Sequence, residues 1–187
     1  MVRVRCCYTG YYAQQHNAWS MEFTLTQDFP AGLDRLWAAF GSSEYPKQKY
    51  SSLGATVVRV HRFQATAKAI DVELERVVPV DKSRLPPLMR LMARSEQTLQ
   101  HRTKWRRVDP KHVTAELDIL PLGLPVRAHG GGTIVESRRG ATRMVLTWQL
   151  HSVLGEKSER VFADQIRAAL DDDHAFTLQY LEQAPAR

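Results

Sequence analysis

His101 and Asp173 are the two side chains in this sequence best suited by type and setting to acid–base chemistry. His101 falls on the apolar face of an alternating segment, and Asp173 lies beside the apolar stripe of a long C-terminal helix. Face to face, the imidazole would act as a general base and the carboxylate would orient it. The same two groups would equally hold the polar end of a bound molecule. Spacing alone does not bring them together, so the preferred reading is a hydrogen-bonded core histidine and a helix-surface acid.

Other motifs carry less. In Asp171-Asp172-Asp173-His174, successive helical residues diverge by about 100°, so only Asp171 and His174 share a face. No second His or acid pair completes that set, and no metal site is expected. Gly130-Gly131-Gly132 continues into Thr133-Ile134-Val135, whereas a phosphate cradle leads into a helix. Its expected role is steric, letting a bent strand bulge or a ligand approach the backbone. The sequence holds no glycine-flanked serine elbow, dinucleotide fingerprint, P-loop or catalytic cysteine context. No catalytic residue is assigned and no cofactor is expected.

Charge is unevenly placed. The net charge is +6, yet Lys82 to Lys111 holds nine Lys or Arg against Glu96 and Asp109. Glu156 to Glu182 holds seven acids against Lys157, Arg160 and Arg167. Arg102, Lys104 and Arg106 share the outward face of one strand, with Arg107, Lys111 and His112 at its turn. Such a stripe could meet nucleic acid or an anionic membrane surface. Cross-strand Glu116 and Asp118 would neutralise part of it. A solvated, partly paired face is therefore preferred, with weak contact to an anionic surface and no specific nucleic acid.

These residues need elements to position them. Alternation marks a strand over Glu22–Phe29, with Phe23, Leu25 and Phe29 on one face. Pro30 opens a helix carrying Leu33, Leu36, Trp37 and Phe40, and Ser42 or Ser43 caps a second short segment towards Tyr50. Strands follow at about Thr56–Phe63, Lys68–Val78, Thr98–Val108, Val113–Ile119, Val126–Glu136 and Thr142–His151, with a helical turn over Leu88–Met92. In the second of these, Ile70, Val72, Leu74 and Val78 point inward. Asp109-Pro110-Lys111 and Arg138-Arg139-Gly140 read as hairpin turns.

A last helix from about Glu156 to Glu182, capped by Ser158, carries Phe162, Ile166, Ala169, Leu170, Phe176, Tyr180 and Leu181 as its apolar stripe. One helix cannot cover six or seven strands from outside, so the sheet must curl around it and leave a space between. Phe162, Ile166 and Leu170 are expected to be buried there, and Asp172 and Glu159 exposed.

Length and composition agree with one domain. The chain has 187 residues, 43% of them apolar, enough for a sizeable core. No apolar run approaches the ~18–20 residues of a membrane span. Residues 1–20 show no period and no secretory pattern, and are expected to form an extension outside a 21–184 domain, with 185–187 a tail. Cys6 and Cys7 are adjacent, which suits neither a structural disulfide nor a zinc site. A cytoplasmic setting is expected.

The opening Phe23-Thr-Leu-Thr-Gln-Asp-Phe-Pro30 followed by Leu36-Trp37-Ala-Ala-Phe40 resembles the first strand and helix of the START and birch-pollen-allergen superfamily, also called SRPBCC. Leu85-Pro86, Trp105 in a strand, Leu124-Pro125 and Val153-Leu154-Gly155-Glu156-Lys157 narrow the resemblance to an actinobacterial branch known as a domain of unknown function. The likeness spans roughly Glu22 to Gln183. It implies an α+β helix-grip fold: a curved antiparallel sheet of six to seven strands wrapped on a long C-terminal helix, with two short helices after the first strand. It also implies a deep, largely apolar cavity for a lipid, sterol, polyketide or similar ligand. Some relatives are cyclases, hydratases or chaperone activators, and others do no chemistry.

The cavity candidates are His101, Trp105, Leu117, Met144, Trp148, Phe162, Ile166, Leu170 and Asp173. Trp105 and Trp148 could flank a flat ligand, although filling the core is their plainer role. His101 is expected inside and Asp173 at the rim. The leading expectation is non-catalytic binding of a hydrophobic small molecule. The alternatives are a cyclase- or dehydratase-like cavity enzyme and an interaction module using the basic strand face.

Overall fold

The computed structural model describes residues 21–85, 87–92, 94–137 and 140–183. The expected extension, the tail and the Arg138-Arg139 part of one turn lie outside the described residues. Among the described residues the strands are β1 (Met21–Phe29), β2 (Val57–Ala65), β3 (Ala69–Pro79), β4 (Glu96–Asp109), β5 (His112–Pro121), β6 (Val126–Glu136) and β7 (Thr142–Ser152). The helices are α1 (Leu33–Phe40), α2 (Glu44–Ser52), α3 (Pro87–Met92) and α4 (Glu156–Gln183), with a 3₁₀ turn at Lys82–Arg84.

The strands form one antiparallel sheet in the order β1-β7-β6-β5-β4-β3-β2. Pairing β1 with β7 brings the start of the fold to its end. Register then lays inner residues in rows across the sheet. One row runs Val72, Thr103, Leu117, Gly130, Trp148, Phe23, and the next runs Leu74, His101, Ile119, Ala128, Leu150. Packed over these rows is α4, whose Phe162 and Leu170 are buried while Ile166, also expected to be buried, is half-buried. This is the helix-grip fold.

The glycine run shows why the sheet can hold this shape. A Cβ on Gly130 would sit 2.9 Å from the Trp148 ring, and one on Gly132 would sit 1.9 Å from the Val145 carbonyl oxygen. Glycine thus makes room for an indole at one position and for the backbone of β7 at the other.

Three local expectations need correction. The first helix begins at Leu33, not at Pro30, because the Glu136 carboxylate of β6 accepts the Leu33 N–H (2.6 Å) and caps it from across the fold. Ser158 lies inside α4 and is buried; the Gly155 carbonyl accepts the N–H groups of Ser158 and Glu159, and Gly155 turns the chain with φ +82°, where glycine carries no Cβ penalty. Glu159 is buried, 1% exposed, rather than on the surface. Its carboxylate turns back to accept the Ser152 N–H (2.9 Å), tying the start of α4 to the end of β7.

Candidate functional site

Between α4 and the inner face of the sheet lies a cavity of about 440 Å³. That is within the about 300–1,000 Å³ of small-molecule sites. Its apolar wall comes from alternate residues of β3, β4, β5 and β7 and from one face of α4, including Leu74, Leu99, Ile119, Leu146, Ile166 and Ala169. All nine candidates from the sequence border it: His101, Trp105, Leu117, Met144, Trp148, Phe162, Ile166, Leu170 and Asp173. Trp105 packs on Phe40, centroids 4.8 Å apart. Trp148 is fully buried, and its Nε1–H has no acceptor among the described residues.

His101 and Asp173 share the cavity but do not pair with each other. His101, 7% exposed, accepts a hydrogen bond at Nε2 from Nε of Arg76 (3.0 Å). Asp173 accepts one from Lys49 Nζ (3.0 Å). Each has a cation of its own, so the carboxylate does not orient the imidazole. Burial, helped by the charges of Arg76 and Lys49, holds His101 well below the ordinary histidine range and keeps it neutral. For Lys49, burial alone would favour the neutral amine, but Asp173, followed by Tyr50 and Tyr45, outweighs it and holds the ammonium charged.

Around these groups the helices supply a polar corner. Lys49 Nζ and the Arg76 guanidinium lie on the Tyr50 ring, each 4.4 Å from its centroid, in cation–π range. The Thr177 hydroxyl donates to the Asp173 carbonyl (2.6 Å), which leaves Tyr45 to donate to Thr177 Oγ1 (2.7 Å). Burial pushes the Tyr45 phenol up to about 12. Gln27 is also buried and donates to the Leu170 carbonyl (2.7 Å). Lys49, Arg76, Tyr45, Tyr50 and Gln27 were absent from the candidates. The signal existed in part: strict alternation puts Arg76 with Leu74 and Val78, Gln27 with Leu25 and Phe29, and helical spacing puts Lys49 four residues after Tyr45.

The remaining motifs do not enter the cavity chemistry. His174 donates from Nε2 to the Asp28 carbonyl (2.9 Å) and packs edge-on against Phe29; it is not paired with Asp171. On the outer face Arg102 meets Glu73 (3.1 Å), Lys104 meets Glu116 (3.8 Å) and Arg106 meets Asp71 (2.6 Å). Asp118, expected to neutralise this stripe, binds His129 (2.8 Å) instead. Among the described residues no helix is long and apolar enough to cross a membrane.

Comparison with known structures agrees with this architecture. A Streptomyces aromatase/cyclase, Zhui, is 13% identical with a TM-score of 0.55, over 87% of this chain and 94% of that one. The protein Ara h 8.0201 is 8% identical with a TM-score of 0.55, over 85% and 98%. A conserved protein from Geobacillus kaustophilus is 8% identical with a TM-score of 0.53, over 87% and 96%. At such identities the likeness is one of fold. No curated protein matches the sequence. Residues 24–181 match the family described as "Protein of unknown function (DUF2505)", and the chain belongs to that family.

Proposed function

We propose that this protein binds a hydrophobic small molecule, of lipid, sterol or polyketide-like character, between the sheet and α4, in the cytoplasm and without catalysis. The observation that carries this reading is the 440 Å³ cavity itself, walled by aliphatic and aromatic side chains where a packed core would leave few voids larger than a water molecule. The nine candidate residues would form the ligand's surroundings, with Trp105 and Trp148 against its body. Zhui is an aromatase/cyclase on the same fold, which supports an organic ligand at this place without choosing its chemistry.

Native mass spectrometry of the purified chain tests the reading. Wild-type protein is expected to carry a hydrophobic adduct that Ala169→Trp, which fills the cavity from α4, does not carry. Equal adducts on both proteins would overturn it.

A second reading, a cavity enzyme of the cyclase or dehydratase type, draws on one observation: His101 and Asp173 border the same void beside Trp105 and Trp148. Against it stands the Arg76–His101 bond, which occupies the imidazole lone pair a base would need. His101→Gln separates the two: a binder keeps its affinity, whereas a base-dependent enzyme loses about 10²–10⁴-fold in turnover.

A further inference from the structure

The polar corner carries an imbalance of charge that points to the chemistry of the ligand. Two cations, Lys49 and Arg76, face the cavity. Asp173 is matched to Lys49 at 3.0 Å. Arg76 spends its Nε–H on a neutral imidazole, and no carboxylate among the described residues pairs with its guanidinium. The other acids at the cavity border make no ion pair with Arg76: Asp81 accepts from the Ser83 N–H and hydroxyl (3.0 and 2.5 Å), and Asp118 binds His129. Arg76 is therefore the cation of this corner without a carboxylate in ion-pair contact among the described residues.

We infer that the ligand is an amphipathic carboxylic acid whose carboxylate is held by Arg76 beside Lys49, with its apolar body lying along α4. This inference rests on the binding reading above. A partly buried cation without a counter-ion is unfavourable, and a guanidinium cannot relieve this by losing a proton. Its planar fork matches a carboxylate through two parallel N–H donors. The charge count selects among anions. One guanidinium without an ion-pair partner is matched one to one by a carboxylate, whereas a phosphate monoester brings about −1.5 to −2. The aromatic support is already in place, because the Tyr50 ring holds both cations at 4.4 Å and fixes them before a ligand arrives.

Fluorescence titration of the full chain with dansylamino-undecanoic acid and with its methyl ester tests the inference. The acid is expected to bind at least about tenfold more tightly than the ester, since a hydrogen bond to a charged group is worth about 1.5–3 kcal/mol and tenfold is about 1.4. Arg76→Gln should erase that preference by weakening the acid alone, and Arg76→Lys should keep most of it. Equal binding of acid and ester to the wild type would overturn the inference while leaving the cavity reading in place. Binding of neither would remove both. Equal weakening of acid and ester by Arg76→Gln would also overturn it, showing that Arg76 shapes the cavity without binding the carboxylate. Should that variant fail to fold, the wild-type comparison of acid and ester decides alone.

Discussion

Arg76 donates its Nε–H to Nε2 of His101 across 3.0 Å, from the neighbouring strand of the sheet and within the cavity. A guanidinium has no acceptor, so the imidazole must present a lone pair at Nε2 and carry its proton on Nδ1. Folding thus selects one protonation state of His101, which has a consequence for stability.

The pH dependence follows in sign. The folded state keeps His101 neutral at pH values where the unfolded chain's histidine, with a pKa near 6.5, takes a proton. The unfolded state then binds more protons, so this group's contribution is intact above about pH 6.5 and falls as pH drops, by at most ~1.4 kcal/mol per pH unit. Urea midpoints of wild type and His101→Gln should therefore converge between about pH 7.5 and about pH 5. A gap between them that stays constant over this interval would contradict the neutral, buried imidazole.

Lys49 and Asp173 make a second test, because their side chains are only 14% and 22% exposed. Asp173→Asn should cost about 2 kcal/mol, less than the ~3–5 of a fully buried pair, by leaving the ammonium without its carboxylate. Lys49→Met combined with Asp173→Leu should recover most of that loss. Urea unfolding with an unchanged m-value measures both; a double variant as unstable as the single one would argue against the pair.

How far the sequence revealed this arrangement depended on one rule. Alternation locates β6 to its ends and assigns Trp105, Leu117 and Trp148 to the inner face, because apolarity and burial coincide there. It misses Arg76 and Gln27, which have inner parity but polar chemistry, since the rule reads burial from apolar type. Remote partners hide others: Gln27 bonds Leu170, 143 residues away, and Lys49 bonds Asp173, 124 residues away. Glu159 failed for the same reason, as its acceptor role at Ser152 exists only once α4 docks on β7.

The two central glycines should respond differently to alanine. Gly132→Ala drives a Cβ into the β7 backbone at 1.9 Å, which cannot yield cheaply, so a loss of more than about 2 kcal/mol is expected. Gly130→Ala meets a side chain, the Trp148 ring, at 2.9 Å and should push the indole towards the cavity. It should retain more stability than Gly132→Ala but bind hydrophobic probes more weakly. Thermal unfolding and probe titration on both variants check the order, and the reverse order would mean that the register of β6 on β7 is wrong.

Glu159→Gln keeps an acceptor for the Ser152 N–H and should be tolerated, whereas Glu159→Ala leaves that buried N–H without one. The expected cost of the alanine is about 1–3 kcal/mol. Equal stability of the two variants, read from urea midpoints, would show that the carboxylate does not tie α4 to β7.

The most direct measurement is a titration with N-phenyl-naphthylamine, a neutral fluorescent probe that needs only an apolar cavity. Wild-type protein should give saturable enhancement, and Ala169→Trp should bind at least about tenfold more weakly, a difference of about 1.4 kcal/mol, while unfolding at a similar urea concentration. Absence of saturable binding to the wild type, or equal affinity in the filled variant, would contradict a ligand site between the sheet and the last helix.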